Sequence, residues 1–278
     1  MTAVGRVSLI ALFSAGLLLA QGLTAIIEPR YRETPRPVVA PAPKRPLGAT
    51  PLALLRSLQS QVASERAKAF EALGLTVRAD SIPEVQFRTL NLDADPELEA
   101  VLVIATPHSP GASAHIFDFQ AGGWWEAGTL FTGGGRWEPR QAERLISFRQ
   151  IVDYPQWDIV VRRQTASGSG VSTDELALYR MQRGSLYRTF VTVESHYEFV
   201  VGGGAIEQEV EVEPKDDESR KPPLLVVRSQ TSNTSGESKP RRQSSCETWR
   251  WNNRQFQFVI DASARAQCQE PRAPSARL

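Results

Sequence analysis

Three stretches of the chain repeat one pattern in one order, and this repeat constrains the fold more than any other feature. VQFRTLNLDADPELEAVLVI (85–104) aligns with ISFRQIVDYPQWDIVVRR (146–163) and with EVEVEPKDDESRKPPLLVVR (209–228). Each reads as an alternating strand, a polar turn and a second, more apolar strand. A hairpin follows each: IFDFQAGGWW (116–125), LALYRMQRGSLYRTF (176–190) and TWRWNNRQFQFV (248–259). Their turns, Ala121-Gly122-Gly123, Gln182-Arg183-Gly184 and Asn252-Asn253, carry residues that tolerate positive φ. The connections echo each other too, LFTGGGRW (130–137) against FVVGGGAI (199–206). The pattern predicts an all-β fold, an antiparallel meander of about three four-stranded repeat units. Closed propellers use four to eight blades, so a propeller-like arrangement and an open sandwich both stand open.

The flanks differ sharply from the repeats. Residues 1–27 hold a single charge, Arg6, followed by an unbroken apolar run from Val7 to Ala20. This has the length and polarity of a signal peptide, with small-x-small sites at Ala20-Gln21-Gly22 and Leu23-Thr24-Ala25. Counted on to Ile27 the run reaches 21 residues, enough for a single membrane anchor. Either way the rest of the chain is expected to be exported, in the periplasm, outside the cell, or anchored with its β domain outside the cytoplasm. Residues 28–51 interleave seven prolines with Arg30, Arg32, Arg36, Lys44 and Arg45, and read as a proline-rich basic linker. An amphipathic helix is predicted over 52–75. Thr50 suits its cap, Pro51 its first position and Gly74 the residue just past its end. Leu55, Leu58, Val62, Ala69 and Leu73 form its apolar stripe, with Arg56, Glu65, Arg66 and Lys68 pointing elsewhere. The β-repeat domain then spans 76–262, and 263–278 reads as a C-terminal tail.

Lys and Arg number 32 against 31 Asp and Glu, so no global basic field argues for nucleic acid. The two cysteines, Cys246 and Cys268, are expected to form one disulfide in an oxidising compartment.

The sharpest local motif is Asn91-Leu92-Asp93-Ala94-Asp95-Pro96-Glu97-Leu98-Glu99, leading into the apolar run Ala100-Val101-Leu102-Val103-Ile104. Here the chain resembles the FG-GAP/VCBS class of secreted β-propeller repeats, whose turn reads D-x-D-x-D-G-x-x-D before a hydrophobic strand. Asn91, Asp93, Asp95 and Glu99 fall on the four acidic positions, and the resemblance implies calcium as their ligand. The departures are Pro96 in place of glycine, Asn91 for the first Asp and Glu99 for the last. In the second copy only Asp158 stands at the matching place; the third has Asp216-Asp217-Glu218 without the spacing. A solvated acidic turn is the alternative. The segment is no EF-hand, because Leu102 sits where the bidentate Glu belongs.

Catalytic signatures are scarce. His108, His115 and His196 are the only histidines. HSPGASAH (108–115) lacks the HExxH spacing and a third ligand, and reads as a polar loop. No G-x-S-x-G elbow occurs, so TASGSGVST (165–173) also reads as a loop, as does the Ser/Asn-rich stretch 230–245 with Arg241 and Arg242. The six tryptophans, Trp124, Trp125, Trp137, Trp157, Trp249 and Trp251, fit core and cross-strand packing better than a ligand groove. The resulting expectation is an exported, non-enzymatic binding or scaffolding protein of the cell envelope. Its partner would be an envelope protein or a glycan, met by loops at 106–114, 164–173 and 230–245. The rival is a secreted hydrolase whose carboxylates converge from different repeats.

Overall fold

The structure, a computed structural model, describes residues 45–77, 80–93, 95–107, 111–133, 141–182, 184–201, 203–215, 222–234 and 241–269. The export segment, most of the linker, His108, Trp137 and the Asp216-Asp217-Glu218 turn lie outside the described residues. Among the described residues no helix is long and apolar enough to cross a membrane.

Among the described residues thirteen strands form two antiparallel sheets, and the three repeat units are present in them. The first unit is β2 (Glu84–Leu90), β3 (Glu99–Ala105), β4 (Ala112–Gln120) and β5 (Gly123–Phe131). A two-residue strand, β1 (Arg45–Pro46), joins it on the outer edge of β5. The second unit is β6 (Ile146–Arg149), β7 (Asp158–Gly168), β8 (Val171–Gln182) and β9 (Ser185–Phe199). The third is β10 (Ala205–Lys215), β11 (Leu224–Asn233), β12 (Arg241–Asn252) and β13 (Gln257–Ile260). The second and third units run on as one eight-stranded meander, β6 to β13 in order, and no barrel closes.

That continuous sheet nevertheless makes two layers. Strands β9 and β10 pair only between Ser195–Phe199 and Ala205–Glu209. Nearer the core they diverge, so that Val160, Leu176, Leu178 and Phe190 of the second unit pack against Val212, Leu225, Trp251 and Phe258 of the third. The second unit's other face, with Ile159, Val161, Ala177 and Tyr179, meets Val101, Val103, Ala114 and Ile116 of the first. The first unit's remaining face, with Ala100, Leu102, Ile104 and Phe117, is covered by the N-terminal helices. Both faces of β3 are therefore buried, which is why it reads as an unbroken apolar run rather than an alternation. The β4–β5 turn has positive φ at both Ala121 (51°) and Gly122 (80°), as a two-residue hairpin of this hand requires.

Several boundaries differ from expectation. The helix expected over 52–75 is two helices, α1 (Pro51–Leu58) and α2 (Ala63–Ala72). Thr50 caps α1 through its hydroxyl, which accepts from the Ala53 N–H at 3.2 Å, and Gly74 follows α2 at φ +68°. The break is held by Arg66, buried rather than outward, whose Nη1 donates to the Ser60 carbonyl at 2.6 Å. Val62 leaves the stripe and is half exposed at the start of α2, while Leu54 and Phe70 enter the core. The end of the linker is folded: Arg45–Pro46 pairs with β5, and the Leu47 N–H donates to the Trp124 carbonyl. A short helix, α3 (Gln141–Leu145), introduces β6 and buries Ala142 between the first two units.

The stretches expected as loops at 165–173 and 230–245 are mostly hairpin, with β7 running to Gly168, β8 starting at Val171, β11 reaching Asn233 and β12 starting at Arg241. Within 108–115, Ala112 to His115 belong to β4 and His115 is fully buried. The tail is ordered as a 3₁₀ turn, Ala262–Cys268, which a Cys246–Cys268 disulfide ties to β12.

Candidate metal centre

The acidic turn lies between β2 and β3, at the edge where the first unit meets the second. Glu99 opens β3 with its side chain fully buried. Its Oε2 accepts the Leu92 N–H at 2.5 Å, while Oε1 has no hydrogen-bond partner. The Asp95 N–H donates to Asp93 Oδ1 at 3.3 Å and the Glu97 N–H to Asp95 Oδ1 at 2.9 Å, which ties both carboxylates to the turn backbone. One oxygen each from Asp93, Asp95 and Glu99 lies within 4.8 Å of the others. Two oxygens sharing a Ca²⁺ at 2.3–2.6 Å cannot be more than about 5 Å apart, so the spread fits a common cation. The fourth predicted position, Asn91, shapes the loop: its Nδ2 donates to the Asp95 carbonyl at 2.6 Å.

Electrostatics point the same way. Burial pushes the Glu99 carboxyl up to about 7, with the Asp93 charge adding and the Leu92 N–H opposing. Burial also raises Asp93, assisted by the charge of Asp95. A bound cation would remove both penalties.

The second unit builds the same turn and sets an internal cation beside it. Asp158 opens β7 as Glu99 opens β3, and its Oδ2 accepts from the N–H groups of Ile151 and Val152 at 3.0 and 3.2 Å. Ile151 precedes Asp158 by the seven residues that separate Leu92 from Glu99. The cation here is the buried Arg180 guanidinium, 3.1 Å from Asp158 and bonded also to Asp153 and Gln156. Arg180 and Asp158 flank the Ile159–Tyr179 pair of the ladder; Asp118 and Glu99 flank the corresponding Phe117–Ala100 pair. Where the second unit carries an arginine, the first thus carries a buried Asp118. The turns also touch: Gln156 Nε2 donates to the Leu92 carbonyl, and the Trp157 N–H donates to that of Asn91.

The carboxylates stand out in the sequence, whereas Arg180, Gln156 and Asp118 do not. The available signal was an arginine inside the apolar run LALYRM, opposite the one matching acid of the second copy. Among the described residues this is the only group of three or more His, Cys, Asp or Glu side chains spaced for a metal ion, and no histidine belongs to it. Trp251 is buried between the second and third units, under the Arg180 guanidinium, and Trp124, Trp157 and Trp249 pack at the margins of the three cores. No family model, curated protein or solved structure matches this chain.

Proposed function

We propose that the chain is an exported binding or scaffolding protein of the cell envelope, with a calcium ion held by the acidic turn of its first unit. The observation that carries the binding reading is the far end of the eight-stranded sheet, which extends beyond the packed layers. Between residues 191 and 211 only Ile206 is buried among the described residues. The hairpin tip there exposes Tyr197, Phe199 and Val201, the last almost completely at 97 %. A projecting sheet end with apolar side chains at its tip suits capture of an envelope protein or glycan. The 164–173 and 230–245 stretches end at the same edge of the sheet. Export is supported by the apolar segment after Arg6 and by the disulfide. The calcium reading rests on the unpaired Glu99 Oε1 beside Asp93 and Asp95. The rival hydrolase would draw carboxylates from different repeats, whereas these three come from one turn.

The test is site-specific photo-crosslinking in the native host. Probes at Phe199 and Val201 should give discrete adducts on protein accessible to protease in spheroplasts, while a probe at Arg254, on the opposite hairpin end, gives none. Absence of adducts at the tip, or full protection inside the cytoplasm, overturns the reading.

A further inference from the structure

The helix-facing side of the first unit carries a second arrangement, unrelated to the acidic turn on its other face. Along β4, Ser113, His115 and Phe117 share one face, with Phe117 in the core under the helices. Across the ladder, β5 places Phe131 opposite Ser113 and Thr129 opposite His115. The next pairs are Ile116–Gly128 and Phe117–Glu126, so Ala127 is an extra residue that bulges the strand. The bulge sends Ala127 into the core on the far side and brings Glu126 round to His115. Bulges re-aim side chains in this way beside active sites.

The contacts form a relay. Ser113 Oγ lies 3.2 Å from His115 Nε2, and Glu126 Oε1 lies 3.3 Å from Nδ1. Thr129 Oγ1 donates to the same Glu126 oxygen at 2.7 Å, fixing the carboxylate. An ionised carboxylate only accepts, so this network assigns the proton to Nδ1 and leaves Nε2 to accept from the serine hydroxyl. The imidazole is fully buried, with its ring centroid 6.5 Å from those of Phe117 and Phe131. Ser113 lines a cavity of about 130 Å³, together with Leu75, Val77, Ile104 and Phe131. Thr106 lines the same cavity, is 4 % exposed, and its hydroxyl has no partner. A histidine kept only for packing needs neither a cavity at its serine nor an unpaired hydroxyl lining the same cavity.

We propose that Ser113, His115 and Glu126 form an acyl-transfer site that hydrolyses short-chain carboxylic esters. Ser113 Oγ attacks the ester carbonyl carbon as its proton passes to His115 Nε2, and the carbonyl π pair moves to oxygen, where the Thr106 hydroxyl donates. That pair returns as the C–O bond to the alcohol breaks, and the alcohol leaves with the proton from Nε2. Water then repeats the sequence on the acyl-serine, releasing the acid and restoring Ser113. Ser113 and His115 are catalytic; Glu126 is a positioning residue. A cavity of about 150 Å³ holds a benzene-sized occupant, so the acyl group extends to about six carbons.

The test uses the purified, disulfide-bonded full chain with p-nitrophenyl acetate and p-nitrophenyl decanoate, and with a fluorophosphonate probe. Expected are turnover of the acetate over the decanoate and probe attachment mapped to Ser113 by mass spectrometry. Ser113→Ala, a change too small to unfold the sheet, should abolish labelling and lower kcat/KM by roughly 100-fold or more. Glu126→Gln should lower kcat at unchanged KM and alter the pH profile, with partial rescue in Glu126→Asp. EDTA should leave the rate unchanged, which separates this site from the calcium reading. Equal rates and equal labelling for wild type and a folded Ser113→Ala overturn the proposal.

Discussion

Glu99 and Asp158 occupy one position of the repeat and meet opposite surroundings. Asp158 has a guanidinium beside it, whereas Glu99 has two further carboxylates and an unpaired oxygen. The consequence is a pH dependence of defined sign. The folded-state carboxyl of Glu99 stands near 7 against an ordinary 4.5, so its contribution to stability is fully present below pH 4.5 and lost as the pH rises to 7. The loss is on the order of 3 kcal/mol. Asp93 shifts in the same direction, and burial lifts the Asp158 carboxyl to about 7 as well, so its share is lost over the same range and is the part that calcium does not restore. Calcium binds the ionised form and should reverse the loss, most strongly at pH 8, where a hundredfold excess over Kd returns about 2.7 kcal/mol, or roughly 5–10 °C in Tm. Melting curves at pH 5 and pH 8, in EDTA and in millimolar calcium, measure this. Asp93→Ala and Asp95→Ala should abolish the calcium response, and Glu97→Ala should retain it. A wild-type curve at pH 8 that calcium does not move would leave the turn a solvated loop. The carboxylates were legible in the sequence because one short turn brings them together. Arg180 was not, since its place beside Asp158 depends on strand register across 22 residues, and Glu126 reaches His115 only through a bulge.

At the scale of elements, strand order and hairpins were legible because three copies reinforced one another. The misread stretches share a physical cause. Residues 168–173, 230–233 and 241–245 lie in the sheet beyond the packed layers, where no apolar face is buried and polar residues fill both sides. Without a core-facing side the period-2 signal vanishes, and a strand rich in Ser, Thr and Asn looks like a loop. The helix break was hidden for a related reason, because Val62 kept the apolar spacing while standing in solvent. Arg66 is the residue that holds the break. Arg66→Ala removes its bond to the Ser60 carbonyl and its buried stem and should lower stability by about 1–2 kcal/mol. Lys68→Ala, on the exposed side of the same helix, should change little. Urea midpoints for the two variants decide it; equal values would mean that the bond contributes nothing.

For the molecule as a whole, the layers run in series: helices, first unit, second unit, third unit. The helix pair closes one end. At the other, Thr248 and Arg250 of β12 bond Asp261, and the 3₁₀ turn that follows is fastened by the disulfide at Cys246. Loop closure over 22 residues contributes on the order of 3 kcal/mol to keeping that turn in place. Units that stack face to face can in principle go on stacking, and repeat arrays stay soluble only when their terminal faces are covered. In the language of polymers, the 3₁₀ turn is a chain terminator, and its bond to β12 is the step that makes termination permanent. Reduction should turn that end into a growing one. Light scattering of the purified protein should show mass increasing with dithiothreitol, and the Cys246→Ser/Cys268→Ser double variant should associate without it. A reduced protein that stays at its original mass would show that the third unit needs no terminator.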